Sequence, residues 1–405
     1  MNKPLNNIKV LDLTQAWAGP IGSMLLADFG AEVIKIEPPE TGDHVRAWTP
    51  PGCKGESPHF LSANRNKKSL ALNLKTQEGR DIFFQLAKEA DVLIENFRPG
   101  VMKKLGLHYE AIQPMNPGVV YCSISGFGQT GPSRNDAAYD LIVQGMGGAM
   151  SVTGEEGGKP VKPGLGQADI MGGLGGTIAI LAALLGRNKT GQGCFIDVSM
   201  LDMQVLAMGY QIVTYLLGGA IARPLGSAHP ILTPYEAFST KTFSINISAN
   251  TPTHWADLCH VLGMTELIDD ERFKNVEIRI RHRKELIPLL QQVMQEKPGE
   301  EWLRLLRGKG IPCGPINDVS MVVKEPQVLH RDMIVEVENP TVGRVGIPGM
   351  PLRVCGMSGK DPVTPPPRLG EHNEEILCGR LGYSREDLQK LQEKGIVGRP
   401  KGASA

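Results

Sequence analysis

The amino-acid sequence predicts an α/β protein built on a mostly parallel β-sheet, with a second, smaller domain. Within the first 130 residues, short apolar runs alternate with segments of helical period. The apolar runs are nearly continuous, which is typical of strands that are buried on both faces. Buried strands that alternate with helices favour a parallel sheet covered by helices.

The predicted strands are, in chain order, Lys9–Thr14, Ala31–Glu37, Ser69–Leu74, Asp91–Phe97 and Val119–Ser125. Helices are predicted at Gly22–Gly30, which ends in a glycine suited to a C-cap, and at Thr76–Ala90, with apolar residues on one face. The apolar segment Met171–Gly186 is shorter than the ~20 residues of a membrane span and is interpreted as a buried helix. The last predicted helix, Ser384–Lys394, begins with a capping-box pattern.

A second domain is expected because 405 residues exceed one typical core of ~100–200 residues. Prolines punctuate the chain near Leu225, and new helical patterns follow at Thr253–Leu262 and His282–Gln295. The smaller domain is expected to end near Asn317.

The composition excludes several function classes. Lys plus Arg and Asp plus Glu both number 43, so no global basic field would attract nucleic acid or an anionic membrane. The seven cysteines, at positions 53, 122, 194, 259, 313, 355 and 378, show no CxxC spacing, which favours reduced cytosolic thiols over disulfides or a metal site. The N-terminal residues lack the apolar core of a signal peptide, so a cytoplasmic protein is expected.

Basic residues occur near the ends of predicted strands, where a parallel sheet binds its ligands. Residues 65–68 (RNKK) precede one strand, and Arg98, Lys103 and Lys104 follow another. They are either solvated charges between elements or a phosphate site. The residues after the first strand, Gly19–Gly22, lack a GxGxxG pattern, so a dinucleotide site of that type is not predicted.

Asp169 lies in a glycine-rich segment, residues 164–176. From the residues alone, it is either the N-cap of a buried helix or a reactive carboxylate. A helix N-terminus offers free N–H groups and a positive dipole end, which would keep the carboxylate ionised and stabilise an oxyanion. Such a carboxylate could attack a thioester carbonyl and form a mixed anhydride that keeps the acyl group activated.

A set of motifs, taken in order, resembles the family III CoA-transferases, the group of formyl-CoA and carnitine CoA-transferases. The motifs are LDLTQAWAGP (11–20), ADFGAEVIKIE (27–37), GDxxR (42–46), NRNKKSLALNLK (64–75), DVLIENFRPG (91–100), SGFGQTGP (125–132), Asp169, TGQGCFIDVSMLD (190–202) and LGEHNEEIL (369–377).

The resemblance implies roles for individual residues. Asp169 matches the family's nucleophile. The positions that match CoA contacts are Ala18, Leu72, Asn73, Lys75, Asn96, Phe97, Arg98, Lys104, Tyr139 and Asp140. No metal site is implied, and CoA enters as a substrate rather than as a tightly bound cofactor.

The chain departs from formyl-CoA transferase at Trp17, Pro38 and residues 248–255, which argues against formyl or oxalate substrates. Residues 226–238 and 325–331 look most like the succinate–hydroxymethylglutarate CoA-transferase branch, which favours dicarboxylic acids. Arg46, His229 and Tyr235 are candidates for binding the second carboxylate, although each is as easily a structural loop residue.

The resemblance also implies an architecture. A large CoA-binding domain with a Rossmann-like sheet would comprise residues 1–200 and 330–405, and a small α+β domain residues 225–320, with linkers at 201–224 and 321–329. Family members form interlocked homodimers, so the same assembly is expected here.

Two alternatives to transfer of CoA remain. The α-methylacyl-CoA racemases are related but carry a histidine where Tyr139 stands, and racemisation needs an acid/base group on each face of the α-carbon. A tyrosine, with a pKa of ~10, is a poor proton carrier near neutral pH. The other alternative is a CoA-binding protein without catalysis, which the presence of Asp169 disfavours.

Overall fold

The structure is a computed structural model that describes residues 3–354, 357–359 and 361–399. Of the seven cysteines, Cys355 lies outside the described residues. The chain divides into two compact units. The first unit is the described part of Met1–Ala149, Lys162–Leu216 and Pro326–Ala405, and the second unit is Met150–Val161 and Leu217–Glu325.

A six-stranded sheet forms the centre of the first unit, and all its strand pairs are parallel. Its strands are β1 (Lys9–Asp12), β2 (Glu32–Glu37), β3 (Lys67–Ala71), β4 (Val92–Glu95), β5 (Val120–Ser125) and β6 (Cys194–Ser199). The strand order β3-β2-β1-β4-β5-β6 reverses direction between β1 and β4. The predicted α/β class and parallel sheet are thereby confirmed, and the crevice beyond β1 and β4 is the expected ligand site.

Helices cover both faces of this sheet. They are α1 (Ala18–Asp28), α2 (Pro58–Ala63), α3 (Gln77–Ala87), α4 (Val101–Leu105), α5 (Tyr109–Ile112), α6 (Asp140–Met146), α7 (Gln167–Thr190) and α8 (Met200–Gly218), the last interrupted at Gly209. Neighbouring strand residues enter opposite cores: Leu11 and Leu93 pack with Phe83 of α3, whereas Val10 and Ile94 pack with the α1 and α7 side. This double burial explains the nearly continuous apolar runs of the strands.

Glycines bring α1 and α7 together. A Cβ on Gly173 would collide with the Ala18 carbonyl oxygen, and one on Gly22 would lie 3.0 Å from the Gly173 carbonyl oxygen. The opposite side of α7 exposes Leu174, Ile178 and Leu185. The predicted buried helix is therefore present but buried on one side only, where Ile180 and Leu184 pack together with the glycines. By length and composition alone, α7 would also be long enough to cross a membrane.

The second unit contains an antiparallel sheet of β7 (Tyr235–Ser239), β8 (Ser244–Ser248) and β9 (Cys313–Pro315). Its helices are α9 (Pro252–Leu262), α10 (Val276–Arg281), α11 (Arg283–Met294), α12 (Gly299–Gly308) and α13 (Val319–Val322). Its core includes Phe238, Trp255 and Trp302.

Two boundaries differ from the sequence-based domains. Residues 150–161 belong to the second unit, where the Gly226 amide donates to the Gly154 carbonyl oxygen at 2.8 Å and Lys284 pairs with Glu156 at 3.4 Å. Residues assigned to the linker 201–224 instead form most of α8.

The chain returns to the first unit with α14 (Pro326–His330), the antiparallel hairpin β10 (Ile334–Asn339) and β11 (Gly343–Pro348), and α15 (Arg385–Glu393). The predicted capping box before α15 is present, with Ser384 and Asp387 satisfying each other's backbone N–H groups. The last described residues reach the edge of the sheet, where Val397 forms a β-bridge with Leu72.

Candidate active site

Two cavities open at the carboxyl end of the sheet, within the first unit. The first, called here the Asp169 cavity, has a volume of about 360 Å³ and is lined by residues after β1, β4 and β5 and by the start of α7. The second, called the lysine cavity, has a volume of about 750 Å³ and lies beside the ends of β2 and β3 and beside α4. Gln15 and Phe97 line both cavities, so the two meet at the reversal of strand order.

Asp169 is the third residue of α7 rather than its N-cap. The N-cap is Gly166, where a Cβ would lie 2.7 Å from the Trp17 ring. The capping oxygen comes from Asp140, whose Oδ1 accepts a hydrogen bond from the Ala168 amide at 2.9 Å. The sequence-based role of Asp169 as a cap is therefore wrong, and its carboxylate is left available to the cavity that it lines.

The carboxyl group of Asp169 has an unusual environment. Burial, and next the negative charge of Asp140, raise its pKa to about 7, while Lys162 acts in the opposite direction. The expectation that the helix N-terminus keeps Asp169 ionised is corrected by this finding. Near neutral pH the group is divided between its charged and neutral forms, and its carboxylate form is unusually basic.

Asp140 is buried behind the start of α7. Its Oδ2 accepts a hydrogen bond from Gln144 Nε2 at 2.7 Å and lies 3.2 Å from Lys162 Nζ. The side chain does not line either cavity. In the structure, Asp140 therefore supports the start of α7. The family resemblance had instead implied that Asp140 contacts CoA.

The turn after β1 forms one wall of the Asp169 cavity and is held from several sides. Ala16 has φ of +64°, a conformation that costs energy for a residue with a Cβ. Both amide atoms of Asn96 bind the backbone of Gln15, at 2.7 and 2.8 Å, and Asp43 Oδ1 accepts from the Ala16 amide at 3.1 Å. Asn96, predicted to contact CoA, therefore also fixes the position of Gln15.

Beneath this turn lies a group of buried charges, called here the ion network: Asp12, Lys35, Asp43 and Lys67. Lys67 pairs with Asp12 and Lys35 pairs with Asp43, both at 3.0 Å. Lys35 Nζ also donates to the Thr14 carbonyl oxygen at 2.6 Å. The network thus couples β1, β2 and β3 to the turn through charge-assisted hydrogen bonds.

The basic run at residues 65–68 has a structural explanation. Arg65 is buried and pairs with Asp28 at 2.5 Å, Lys67 belongs to the ion network, and Lys68 pairs with Glu32 at 2.7 Å. The run is therefore neither a phosphate site nor a solvated cluster.

Glu95, at the end of β4, positions the segment that separates the cavities. Burial raises the pKa of Glu95 to about 7, and its Oε2 accepts a hydrogen bond from the Phe97 amide at 2.8 Å. Phe97 itself lines both cavities.

The residues predicted to contact CoA are distributed between the two cavities. Ala18, Asn96, Phe97, Arg98 and Tyr139 line the Asp169 cavity. Leu72, Asn73, Lys75 and Lys104 line the lysine cavity, together with Phe97. Positive charge is thereby placed in the cavity next to the one that contains the candidate nucleophile.

The three candidates for the second carboxylate are placed differently. Arg46 pairs with buried Glu37 at 2.7 Å and stacks over Phe60, 3.6 Å from the ring centroid. Its guanidinium is used by the fold, so we do not retain it as a substrate contact. His229 and Tyr235 belong to the second unit, where their ring centroids are 5.1 Å apart.

Several cavity residues were not predicted. Gln15 lies three residues after the end of β1, and the rule that ligands bind after parallel strands could have found it. His44 and Arg134 also line the Asp169 cavity, but nothing in their local sequence marks them. His44 is also the end of a row of four rings in edge-to-face contact, which continues through Trp48 and His59 to Trp17. Neighbouring ring centroids in this row are 5.4 to 6.0 Å apart.

Comparison with known proteins identifies the family of this chain. The model of the CoA-transferase family III matches residues 5–373. The chain is 42% identical over 395 residues to human succinyl-CoA:glutarate CoA-transferase, covering 98% of this chain and 90% of the relative. It is 39% identical to the succinate–glutarate CoA-transferase of Agrobacterium fabrum over 386 residues, 93% of this chain and 95% of the relative.

The fold has a solved relative as well. A CAIB/BAIF family protein from Brucella suis superposes with a TM-score of 0.83 at 37% sequence identity, covering 93% of this chain and 99% of that one. The motifs, the parallel sheet, the paired cavities and these relatives agree: the chain is an enzyme that belongs to CoA-transferase family III.

Proposed function

We propose that this enzyme moves CoA from succinyl-CoA, or another dicarboxylic acyl-CoA, to a free dicarboxylic acid, with Asp169 as the nucleophile. The observation that carries the proposal is the meeting of the two cavities at Gln15 and Phe97. One cavity carries lysines suited to phosphates, and the adjoining cavity carries a reactive carboxyl group. A long ligand with phosphates at one end and a thioester at the other fits that arrangement.

CoA would lie across both cavities. Its phosphates would meet Lys75 and Lys104 in the lysine cavity, where the side chains supply charge-assisted hydrogen bonds. Its chain would pass Gln15 and Phe97, and its thioester would reach Asp169. Lysine and arginine contacts with phosphate are screened by salt, so we expect CoA binding to weaken as ionic strength rises.

The proposed transfer conserves the energy of the thioester. An Asp169 oxygen attacks the acyl carbonyl, the carbon–sulfur bond breaks, and CoA leaves as a thiolate. The thiolate attacks the aspartyl carbonyl of the anhydride, which releases the first acid as a carboxylate and leaves an aspartyl-CoA thioester. The carboxylate of the second acid attacks that thioester, and the released thiolate then attacks the new acyl carbonyl and regenerates Asp169. No net proton is consumed.

The environment of Asp169 supports the first step. A carboxylate beside Asp140 is destabilised, and its charge moves away from Asp140 as the thioester oxygen becomes negative. The Ala168 amide already binds Asp140 and is therefore not an oxyanion donor, contrary to the simple picture of a free helix N-terminus. Relief of the repulsion between the two carboxylates contributes to catalysis instead.

The substrate class rests on the relatives. Succinate and glutarate, in the names of the human and A. fabrum relatives, each have two carboxylates. The proposed test mixes the protein with succinyl-CoA and a panel of mono- and dicarboxylic acids, and identifies new acyl-CoA species by mass spectrometry. We expect products with dicarboxylic acids of four to six carbons. Hydrolysis alone, with no acid-dependent product, would contradict the proposal.

Racemisation has one observation in its favour. His44 lines the same cavity as Asp169, so the absence of a histidine at Tyr139 does not by itself remove a second proton carrier. Racemisation predicts that deuterium from heavy water enters the α-carbon of a 2-methylacyl-CoA without any acceptor acid. Transfer predicts no such exchange.

We further infer that the enzyme works as a homodimer. Exposed apolar side chains cover one side of α7 and continue along α8; they are Leu174, Ile178, Leu185, Val205, Leu206 and Val213. A patch of this kind is typical of a subunit interface. Sedimentation should give twice the mass of one chain, and Ile178→Asp with Leu185→Asp should give monomers or insoluble protein. A wild-type monomer at micromolar concentration would contradict the inference.

A further inference from the structure

We propose that Arg134 binds the carboxylate of the dicarboxylic acid that does not react, and thereby gives the enzyme its preference for dicarboxylic acids. This inference rests on the proposed function and adds a specificity-determining residue to it. Arg134 lies on the segment between β5 and α6, and it lines the Asp169 cavity.

The charges of the Asp169 cavity have to be considered together. Its acidic side chains are Asp136 and Asp169, and its basic ones are His44, Arg98 and Arg134. His44 Nδ1 is 3.1 Å from Gln15 Oε1 and 3.8 Å from Asp43 Oδ1, so protein groups already neighbour this nitrogen. Among the described residues, no carboxylate oxygen lies within 4.0 Å of the nitrogen atoms of Arg98 or Arg134. Two guanidinium groups therefore remain available for anions.

The positions of Arg98 and Arg134 suggest that they bind different anions. Arg98 lines only the Asp169 cavity itself, but it lies between Phe97 and Val101, and both of these residues line the lysine cavity. Arg134 shares its segment with Gly126, Phe127 and Tyr139, and none of these residues lines the lysine cavity. Arg134 therefore faces the acyl end of the ligand, and the anion that it meets belongs to the acid.

A dicarboxylic acid needs such a cation. When one of its carboxyl groups reacts at Asp169, the other stays ionised, because its pKa is about 4 to 5. The second carboxylate would otherwise share the cavity with Asp136 and Asp169. The planar guanidinium of arginine matches a carboxylate with two parallel hydrogen bonds, which adds orientation to neutralisation. A monocarboxylic acid of equal length has no charge to place there.

The test compares glutarate with pentanoate, which has the same number of carbons and one carboxylate, as acceptors of CoA from succinyl-CoA. We expect Arg134→Met to raise the KM for glutarate by roughly 10- to 100-fold and to lower the preference for glutarate over pentanoate by a similar factor. Arg134→Lys should recover part of the preference. The dissociation constant for CoA, measured by calorimetry, should not change.

Two controls separate this role from others. Arg98→Met should weaken CoA binding, and Arg385→Met, which removes an exposed arginine on α15, should change none of the constants. Arg134 would be a phosphate contact if Arg134→Met weakened CoA binding, and a structural residue if glutarate and pentanoate lost activity equally. An unchanged KM for glutarate would also overturn the proposal. Wild-type protein that transfers CoA to no acid would instead contradict the proposed function.

Discussion

Two groups of buried charge lie at the same edge of the sheet, and they are built in opposite ways. In the ion network, each carboxylate meets an ammonium group: burial alone would raise the pKa of Asp12, but Lys67 and Lys35 bring it below its usual value. Around Asp169, two carboxyl groups lie close together, with Lys162 as the one cation among the causes of the shift, and the pKa of Asp169 rises to about 7.

The difference shows what each group does. Paired charges over β1, β2 and β3 hold the strained turn at Ala16, although burial lowers the pKa of Lys67 to about 8. The unmatched carboxyl of Asp169 costs stability and provides a basic nucleophile. One group is therefore a scaffold and the other a reactive site, although each contains a buried aspartate.

The largest expected effect is on catalysis. Asp169→Asn should lower CoA transfer by at least about 10,000-fold, because the neutral amide cannot form the anhydride. CoA binding and the circular dichroism spectrum should stay near those of the wild type. Asp81→Asn, which changes an exposed carboxylate of α3, is the matched control and should keep full activity. Substantial activity in Asp169→Asn would show that Asp169 is not the nucleophile.

The next effect is on folding. Lys67→Met leaves Asp12 buried beside one ammonium instead of two, and we expect the free energy of unfolding to fall by about 3 to 5 kcal/mol. Urea denaturation followed by fluorescence measures this change. Adding Asp12→Asn to the same chain should recover part of the loss, since the unpaired charge is removed. A Lys67→Met protein as stable as the wild type would mean that the network is not a scaffold.

Replacing Asp169 should change the free energy of unfolding in the opposite direction, because its carboxylate destabilises the fold. Its folded pKa, about 7, lies above the ordinary aspartate value, so the folded protein holds a proton that the unfolded chain has already lost between pH 4 and 7. Stability from this group is present at low pH and is lost as the pH rises through 7. Asp169→Asn should therefore stabilise the protein at pH 8 by about 2 kcal/mol, allowing for the partial solvent access of the group, and less at pH 5. Equal stabilisation at both pH values would contradict the raised pKa.

The smallest effect concerns the support of the nucleophile. Asp140→Asn removes a negative charge near Asp169 while keeping an oxygen for the Ala168 amide. The acidic limb of the profile of kcat/KM against pH should move to lower pH, and kcat should fall by roughly 2- to 10-fold because the nucleophile becomes less basic. Lys162→Met removes the opposing charge and should move the same limb to higher pH. Shifts in the same direction in both variants would show that Asp140 acts through structure alone.

Sequence periodicity was enough for five of the six strands of the sheet, since strands buried on both faces leave apolar runs such as residues 119–125. It missed β6, whose first residues are largely exposed. It could not show that α7 buries only one of its sides, because leucine and isoleucine occur on the buried and on the exposed side alike. The candidate nucleophile was found through the family motifs. Its protonation was not, because Asp140 lies 29 residues away and approaches Asp169 only in the folded chain.

The role of the basic run at residues 65–68 also depends on partners that are distant in sequence. Two of its cations are neutralised by Asp28 and Asp12, which are distant in sequence. Local charge therefore could not distinguish a phosphate site from a buried ion pair. Arg134 carries no local signal either, and only the shared cavity relates it to Asp169.

The most direct test of the central claim is chemical trapping at Asp169 during turnover. The protein is incubated with succinyl-CoA, treated with borohydride, and digested, and the peptide that carries Asp169 is analysed by mass spectrometry. We expect reduction of the Asp169 side chain to an alcohol only when succinyl-CoA is present, because borohydride reduces an aspartyl thioester and leaves a free carboxylate unchanged. An unmodified Asp169 in protein that transfers CoA at its full rate would contradict the covalent mechanism.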